Sequence, residues 1–228
     1  MTVAGTATIS RPAGRLGSVD ELSWVGDAEC MTQTQAVTAP PAGGGADLPA
    51  DLPAGLPADL PVGRSRSYSW QDPRPFAERL PTTPGTDLLR AMQAGEVPVP
   101  PLAATLDFAE FVVLGEGAAA VSLVPGEHHL NTLGTVHGGV IAALLDTASG
   151  CAVHTCLPAG VAYTSLDLTV RFLRSVTPAT GVVRAEGTVL MKGSRTATAQ
   201  ARLVDRQGRL LAHATSTCLL FPAPAGVA

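Results

Sequence analysis

The sequence predicts an α+β domain in which an antiparallel sheet wraps around one long central helix, preceded by a disordered Pro/Gly/Ala-rich tail. Residues 140–148 form the clearest helix-forming run in the chain. After residue 160, apolar and polar residues alternate with a period of two, which is typical of half-buried strands. Between residues 40 and 63 a Leu-Pro unit recurs every four or five residues. Proline at that frequency blocks helix interiors and removes sheet donors, so this part is predicted to stay outside the domain.

The tail is predicted to cover residues 1–83, because this part of the chain shows no sustained hydrophobic period. The ordered domain is predicted over 84–222, and a short C-terminal tail follows at 223–228. The two tryptophans, Trp24 and Trp70, both fall in the first tail. Each is either an isolated solvated side chain or a docking point for a partner.

The composition excludes several classes of protein. A formal net charge of −4 gives no electrostatic footprint for nucleic acid. No stretch approaches the roughly 20 apolar residues that span a bilayer, and the first residues lack the apolar core of a secretory signal. The four cysteines have neither CxxC spacing nor the density of a disulfide scaffold. We therefore expect a cytoplasmic protein that binds neither nucleic acid nor membrane.

A short helix and a hairpin are predicted to open the domain. Thr86 can cap the helix and Gly95 can end it. The apolar stripe of this helix would comprise Leu88, Leu89 and Met92. The next two apolar runs flank a Gly-Glu-Gly turn, which indicates a β-hairpin.

The long helix is predicted from about His137 to about Cys156, and four strands follow it. The apolar side of the first of these strands would comprise Leu166, Leu168, Val170 and Phe172. Short turns separate the later strands, so neighbours should pair antiparallel. The apolar residues of the long helix are not confined to a narrow stripe, and one small sheet covers only one side of a helix. An oligomer is therefore expected.

Two glycines, Gly138 and Gly139, begin the long helix although glycine is a poor helix former. Without a Cβ they allow another backbone or a ligand to approach the first turn, where N–H groups are unpaired and the helix dipole is positive. A carbonyl oxygen set against the N–H of Gly138 would be polarised, and a developing oxyanion would be stabilised there. The alternative is that the glycines only make a tight start to a helix packed on a sheet.

One carboxylate, Asp146, stands among apolar residues of the same helix. Burying a carboxylate is costly unless it is paired or used. Asp146 is therefore either a catalytic group or half of an ion pair with Arg171 or Arg174. His137 and Asp146 are nine residues apart, which on an α-helix is about 13 Å of rise and about half a revolution. They cannot act on one atom from the same helix, so a shared site requires a second copy of the chain.

The stretch NTLGTVHGGVIAALLDTASG, residues 131–150, resembles the signature of the hotdog-fold acyl-CoA thioesterases, in particular the phenylacetate-pathway (PaaI-like) type. The shared pattern is Asn, then Gly-x-x-His-Gly-Gly, then an Asp nine residues after the His. The order of helix, hairpin, long helix and four strands is similar over roughly 84–222, whereas the tail has no counterpart in the usual form. The resemblance implies hydrolysis of an acyl-CoA by a homo-oligomer, with a dimer as the functional unit and a tetramer as the expected assembly.

Carried over to this sequence, the resemblance implies five catalytic residues. Gly138 would donate its N–H to the thioester carbonyl, with His137 and Asn131 beside it. Asp146 would be the general base for water, or the nucleophile, reaching in from the partner subunit. Ser165 would help to place the water, although strand parity alone puts it on the polar side of its strand.

The turns offer a surface for the substrate and its CoA phosphates. Gly139 lies at the helix start, Lys192, Gly193 and Arg195 belong to the MKGSR turn, and Arg174 follows the first long strand. Solvated turn cations are the alternative interpretation.

No metal and no separate cofactor are expected, since CoA enters as part of the substrate. His128 and His129 are adjacent, so their side chains point apart, and no third ligand has a set spacing. A thioester lacks the resonance stabilisation of an ester and has a good leaving group. Water activated by one carboxylate beside an oxyanion site is then sufficient.

Other functions remain open from the sequence. The substrate could be an acyl-carrier-protein thioester instead of an acyl-CoA. A hydratase or dehydratase of the same fold needs a different His and carboxylate pattern, which does not appear. A non-catalytic acyl-CoA sensor would need no carboxylate at position 146. The acyl group is not revealed, because the small and aliphatic helix residues admit either aryl or medium-chain groups.

Overall fold

The computed structural model describes residues 64–224. Four α-helices run along this part of the chain: α1 Arg74–Arg79, α2 Gly85–Gln93, α3 Pro101–Thr105 and α4 Gly138–Thr155. Six strands accompany them: β1 Phe108–Gly115, β2 Ala118–Leu123, β3 Val161–Phe172, β4 Val183–Lys192, β5 Thr196–Asp205 and β6 Leu210–Pro222. Short 3-10 turns occur at Glu127–His129 and Pro178–Thr180.

All six strands belong to one antiparallel sheet with the order β1-β2-β4-β5-β6-β3. The β1–β2, β4–β5 and β5–β6 neighbours are consecutive in sequence, as short turns require. The strand that follows α4 crosses to the far side and pairs with β6. As a result β3, which is 12 residues long, forms one edge of the sheet.

Helix α4 lies across one face of the sheet, and the main hydrophobic core fills the space between them. Leu144, Leu145 and Ala148 of the helix are fully buried there against Ala185 and Leu203 of the strands. A very close approach of helix and sheet makes this contact possible. A Cβ built on Gly187 of β4 would lie only 2.0 Å from the carbonyl oxygen of Ala148. Glycine is therefore required at this point of the sheet.

The predicted architecture is confirmed: one long helix packs on an antiparallel six-stranded sheet, with the predicted helix and hairpin before it. Thr86 does not cap α2, although the sequence predicted that it would. It lies inside α2, and its hydroxyl donates a hydrogen bond to the carbonyl of Thr155 at 2.5 Å, which ties α2 to the end of α4. Gly95 does follow the helix with a φ of 75°, as a C-terminal glycine should.

Regular structure begins earlier than the sequence predicts, because α1 falls within the segment assigned to the tail. Phe76 and Leu80 pack against the buried cluster around Leu88, and the N–H of Gly160 donates to the carbonyl of Leu80 at 2.8 Å. A six-residue helix with one aromatic side chain is too short to produce a recognisable period in the sequence. Helix α3 has only five residues and was not predicted for the same reason.

No helix within residues 64–224 is long and apolar enough to cross a membrane. The predictions for residues 1–63, including Trp24 and the Leu-Pro repeat, lie outside the described residues. Trp70 lies inside them and is largely exposed, next to the ring of Tyr68.

Candidate active site

Asp146 and Ser165 form the first half of the candidate site. Asp146 projects from the middle of α4 and is half-buried, and Ser165 lies on the edge strand β3. The hydroxyl of Ser165 donates a hydrogen bond of 2.8 Å to Oδ1 of Asp146. A carboxylate so placed keeps its second oxygen available for another donor.

A β-bulge explains why Ser165 faces the helix. Ser165 pairs with Cys218 of β6 and Asp167 pairs with Thr217, so Leu166 between them has no partner of its own. Strict alternation would place Ser165 on the same face as Asp167, as the sequence predicts. The extra residue inverts the alternation, and Ser165 shares the helix-facing side with the fully buried Cys218. The parity argument against Ser165 is therefore wrong.

The pair opens into a shallow pocket of about 380 Å³. Its lining residues are Ala142, Ala143, Asp146, Ser165, Leu166, Asp167 and Leu168. Leu166 is 58% exposed, whereas the alternation of the strand predicts a buried side chain. Apolar side chains from both elements thus lie around the Asp146 carboxylate and the Ser165 hydroxyl, with Asp167 as a second carboxylate of the lining.

The start of α4 forms the second half of the candidate site. His137 is the N-cap residue, and its Nδ1 accepts a hydrogen bond of 2.9 Å from the N–H of Gly139. The N–H of Val140 donates to the carbonyl of His137. The N–H of Gly138 donates to no acceptor within the described part of the chain. One backbone donor at the positive end of the helix dipole is therefore left for a ligand.

Asn131 stabilises the turn that leads into the helix. Its Nδ2 donates to the hydroxyl of Thr135 at 2.9 Å, and its Oδ1 accepts the N–H groups of Leu133 and Thr135. Backbone hydrogen bonds between residues 131 and 135 close the same turn. Both ends of the Asn131 amide are engaged, so this side chain fixes the loop beside Gly138.

A second pocket, of about 340 Å³, lies at this end of α4. It is lined by Asn131, Thr135, Val136, Gly138, Ile141, Phe172, Leu173, Arg174, Ser175 and Val176. The ring of Phe172 lies over Gly138, where an added Cβ would be 3.2 Å from Cζ of the phenylalanine. Phe172 was predicted as a core residue of β3, yet it is 55% exposed. No signal in the sequence separates it from the buried residues of the same alternation.

The predicted CoA-binding residues do not gather in one place. Arg174 lines the pocket beside Gly138, and its guanidinium donates to the carbonyl of Leu210. Lys192 ends β4, Gly193 and Arg195 lie in the turn that follows, and all three are exposed. The carbonyl of Arg195 accepts the N–H of Leu220, which places this turn at the opposite end of β6 from Leu210. Within one copy the cations belong to different ends of the sheet.

The structural alternatives for the polar residues can be compared directly. Asp146 forms no ion pair with any arginine among residues 64–224, and its hydrogen-bond partner is Ser165. His129 is buried, with Nδ1 accepting from the N–H of Gly126 and Nε2 donating to the carbonyl of Leu106. Both nitrogens of His129 are thus occupied by the backbone. Burial raises the pKa of the Cys151 thiol to about 12, as expected for a packing residue.

No group of three or more potential ligands among His, Cys, Asp and Glu converges anywhere in the described residues. His154 is buried at the end of α4, between the rings of Phe76 and Tyr163. Neither of its ring nitrogens has a hydrogen-bond partner there. Burial lowers the pKa of His154 to about 4.

The thioesterase superfamily pattern matches residues 133–212, which include α4 and the strands up to the start of β6. A predicted esterase of Halobacterium salinarum is 42% identical over 82 residues, which are 35% of this chain and 48% of that protein. The chain thus matches about half the length of this relative.

Solved structures of whole hotdog domains are also similar. A predicted thioesterase from Ralstonia eutropha JMP134, described as phenylacetic acid degradation-related, is 29% identical with a TM-score of 0.53; the match covers 57% of this chain and 98% of that one. The E. coli PaaI protein from the phenylacetic acid degradation operon shares the fold at 24% identity and a TM-score of 0.50, over 54% and 86% of the two chains. The predicted hotdog fold and PaaI-like resemblance are therefore confirmed, and the match to the thioesterase superfamily covers residues 133–212.

Proposed function

We propose that the protein hydrolyses an acyl-CoA thioester to a free carboxylic acid and CoA, with water activated by Asp146. The observation that carries this proposal is the hydrogen bond from Ser165 to Asp146 in an open, otherwise largely apolar pocket. It has the geometry of a supported general base: one carboxylate oxygen is fixed and the other is free to accept a proton.

Ser165 and Asp146 would bind the attacking water together. The Ser165 hydroxyl donates a hydrogen bond to Asp146. Its lone pairs therefore remain available to accept a hydrogen bond from water. The free oxygen of Asp146 would accept the other proton of that water as the oxygen attacks the thioester carbon. Direct attack by the Asp146 carboxylate, through an anhydride, is the alternative mechanism.

The Gly138 N–H would stabilise the oxyanion that forms on the carbonyl oxygen. It is the one donor of this helix start that His137 does not engage, and Asn131 holds the adjoining loop in place. A single donor of this kind is typically worth about 3–4 kcal/mol in the barrier. His137 would act by orienting the first turn, since its Nδ1 accepts from Gly139.

A second copy of the chain would bring the two halves together. Ser165 lies near the middle of β3 and Phe172 at its C-terminal end, one beside each pocket. The outer side of β3 has no partner strand among the described residues. Two such edges pairing antiparallel near the middle of β3 would set Ser165 of one copy opposite Phe172 of the other. Each dimer would then hold two composite sites.

The same pairing would gather the predicted CoA cations. Arg174 of one copy and the turn with Lys192 and Arg195 of the other would lie toward one end of the joined sheet. A tetramer of two such dimers and a cytoplasmic location are further parts of the proposal. The chemistry requires no metal, so turnover should persist in the presence of a chelator.

Substrate turnover tests the reaction class. Purified protein is given a panel of aryl and aliphatic acyl-CoAs, with phenylacetyl-CoA among them, and released thiol is measured with a chromogenic reagent. The same acyl groups on acyl carrier protein distinguish the two carriers. Binding of acyl-CoA without any thiol release would favour a sensor and overturn the proposal.

Mixing two inactive variants tests the composite site. Asp146→Asn removes the base, and Gly138→Pro removes the N–H donor. Proline is tolerated at the first helical position, and the extended His137 with ψ 136° suits a following proline. In a mixed dimer one site is wild type and the other carries both changes. Random mixing should therefore restore about a quarter of the wild-type activity.

The matched control is a mixture of Asp146→Asn with Ser165→Ala. Both changes fall on the same half of the site, so no wild-type site can form and activity should stay no higher than that of Ser165→Ala. If neither mixture gains activity, the site is contained within one chain and the dimer argument is wrong.

A further inference from the structure

We propose that Asp167 is a positioning residue, which fixes the β-bulge that turns Ser165 toward Asp146. The inference rests on the proposed hydrolysis and adds a residue to it. Nothing in the Asn, Gly-x-x-His-Gly-Gly and Asp signature includes Asp167, which lies 21 residues beyond Asp146 in the sequence.

The bulge leaves a backbone donor that Asp167 satisfies. Leu166 is the extra residue of β3, so the ladder between β3 and β6 is interrupted beside Thr217. Oδ1 of Asp167 accepts the N–H of Thr217 at 3.1 Å. The carboxylate thereby replaces a ladder hydrogen bond, as Asp does when its side chain bonds to nearby backbone.

A second hydrogen bond fixes the other side of the bulge. The hydroxyl of Ser216, which is buried, donates to the carbonyl oxygen of Asp167 at 2.8 Å. The side chain and the backbone of Asp167 are thus both attached to consecutive residues of β6. Regular pairing resumes immediately afterwards, with Leu168 opposite Ser216.

Asp167 lines the pocket with Asp146, but its carboxylate is bound to the Thr217 N–H, and its pairing places it on the other face of β3 from Ser165. Asp167 pairs with Thr217 on the side of the sheet that faces away from α4, whereas Ser165 pairs with Cys218 on the helix side. The two residues lie on opposite faces although they are two positions apart. Asp167 therefore acts on the reaction through the backbone, by holding Ser165 and the exposed Leu166 at the pocket.

Loss of this anchor would allow β3 to return to regular alternation. A shift of one residue would move Ser165 to the outer face and separate its hydroxyl from Asp146. Even a displacement of about 1 Å at a positioned group can cost up to about 100-fold in rate. Because the acyl-CoA surface elsewhere is unchanged, the effect should fall on kcat and leave KM nearly constant.

The test compares three variants in the full chain. Asp167→Ala removes the acceptor, and kcat should fall about 10-fold or more with KM within about twofold. Asp167→Asn keeps an acceptor oxygen for the Thr217 N–H and should recover most of that loss. Thr169→Ala, on the same outer face two residues further along, is the matched control and should retain wild-type kcat.

A double-mutant cycle separates positioning from a general structural effect. In a Ser165→Ala background, Asp167→Ala should cause little further loss of kcat, since its route to the reaction is already removed. Amide exchange at Thr217 should accelerate in Asp167→Ala and not in Asp167→Asn. If Asp167→Ala does not fold, Ser216→Ala, which deletes the hydrogen bond to the Asp167 carbonyl, takes its place in the cycle.

Equal losses in Asp167→Asn and Asp167→Ala would overturn the inference, because the charge would then be required. Additive effects with Ser165→Ala would also overturn it. The proposed function fails separately, if the wild type releases no thiol or if Asp146→Asn retains full activity in the same assay.

Discussion

The two halves of helix α4 serve different purposes, although they form one continuous element. Residues 148–155 are all buried, under α2 and against the sheet, and the polar side chains there include the unpaired His154. Residues 137–147 alternate between buried and accessible positions and contribute Gly138 and Asp146 to the two pockets. Substitutions in the N-terminal half should therefore change turnover, and substitutions in the C-terminal half should change the stability of the fold.

The largest expected effect is on turnover, in the N-terminal half. Asp146→Asn keeps the size of the side chain and can still accept from Ser165, but it cannot accept a proton from water. General-base catalysis contributes about 10²- to 10⁴-fold, so kcat should fall by that factor with a much smaller change in KM. Steady-state kinetics on this variant measure kcat and KM, and a thermal melt measures its Tm. A lowered Tm with near-normal kcat would assign Asp146 a structural role.

Truncation should expose the C-terminal half of α4. Deleting residues 1–83 removes Phe76 and Leu80 from the cluster on this half, together with the acceptor for Gly160. We expect about 2–3 kcal/mol of unfolding free energy to be lost. Deleting only residues 1–63 should leave the unfolding free energy and kcat unchanged. Denaturant titration of both truncations measures their unfolding free energies and so locates the start of the domain. If the two truncations are equally stable, the domain begins after residue 83.

Acid should weaken the same half through His154. Its folded pKa of about 4 lies below the ordinary 6.5, so only the unfolded chain takes up a proton as the pH falls between these values. The stability is fully present above about pH 6.5 and declines toward pH 4. Between pH 7.5 and pH 5 the unfolding free energy should fall by about 2 kcal/mol from this residue alone.

The control for the acid effect is His154→Leu, which removes the titrating group and keeps an apolar side chain between Phe76 and Tyr163. Denaturant curves at both pH values should show a smaller decline for this variant than for the wild type. Parallel declines would mean that His154 is not the group responsible.

The smallest expected difference between the two halves is in the stability of two Gly→Ala variants. A Cβ at Gly150 would lie 2.5 Å from the hydroxyl of Tyr163, whereas a Cβ at Gly139 would meet only the imidazole of His137. Gly150→Ala should destabilise by about 1–2 kcal/mol, because overpacking exceeds the gain in helix propensity. Gly139→Ala should leave Tm equal or slightly raised. A reversed order in thermal melts would contradict this division of the helix.

Sequence periodicity was sufficient for the elements that are long or strongly patterned. The run 140–148 predicted α4, and the alternation after residue 160 predicted the strands, because each pattern extends over several repeats. The spacing of His137 and Asp146 also predicted that they would not meet in one chain, and His137 caps the start of α4 whereas Asp146 lines the pocket at its middle.

Local irregularities were not predicted by the same reasoning from periodicity. One unpaired residue, Leu166, inverted the face of Ser165, and no composition or period marks such a bulge in advance. Phe172 continues the apolar alternation yet lies exposed over Gly138, because the edge of a sheet has a neighbour on only one side. Helix α1 is held by contacts distant in sequence, which a short window cannot register.

The turn at Asn131 also has a consequence for the temperature dependence of the reaction. Its hydrogen bonds are all made within residues 131–135, so the loop beside Gly138 is ordered when the chain folds and before any substrate arrives. The conformational entropy of ordering that loop is therefore a cost of folding and does not recur in each catalytic cycle. Such a site should show a small activation entropy, and its barrier should be mainly enthalpic.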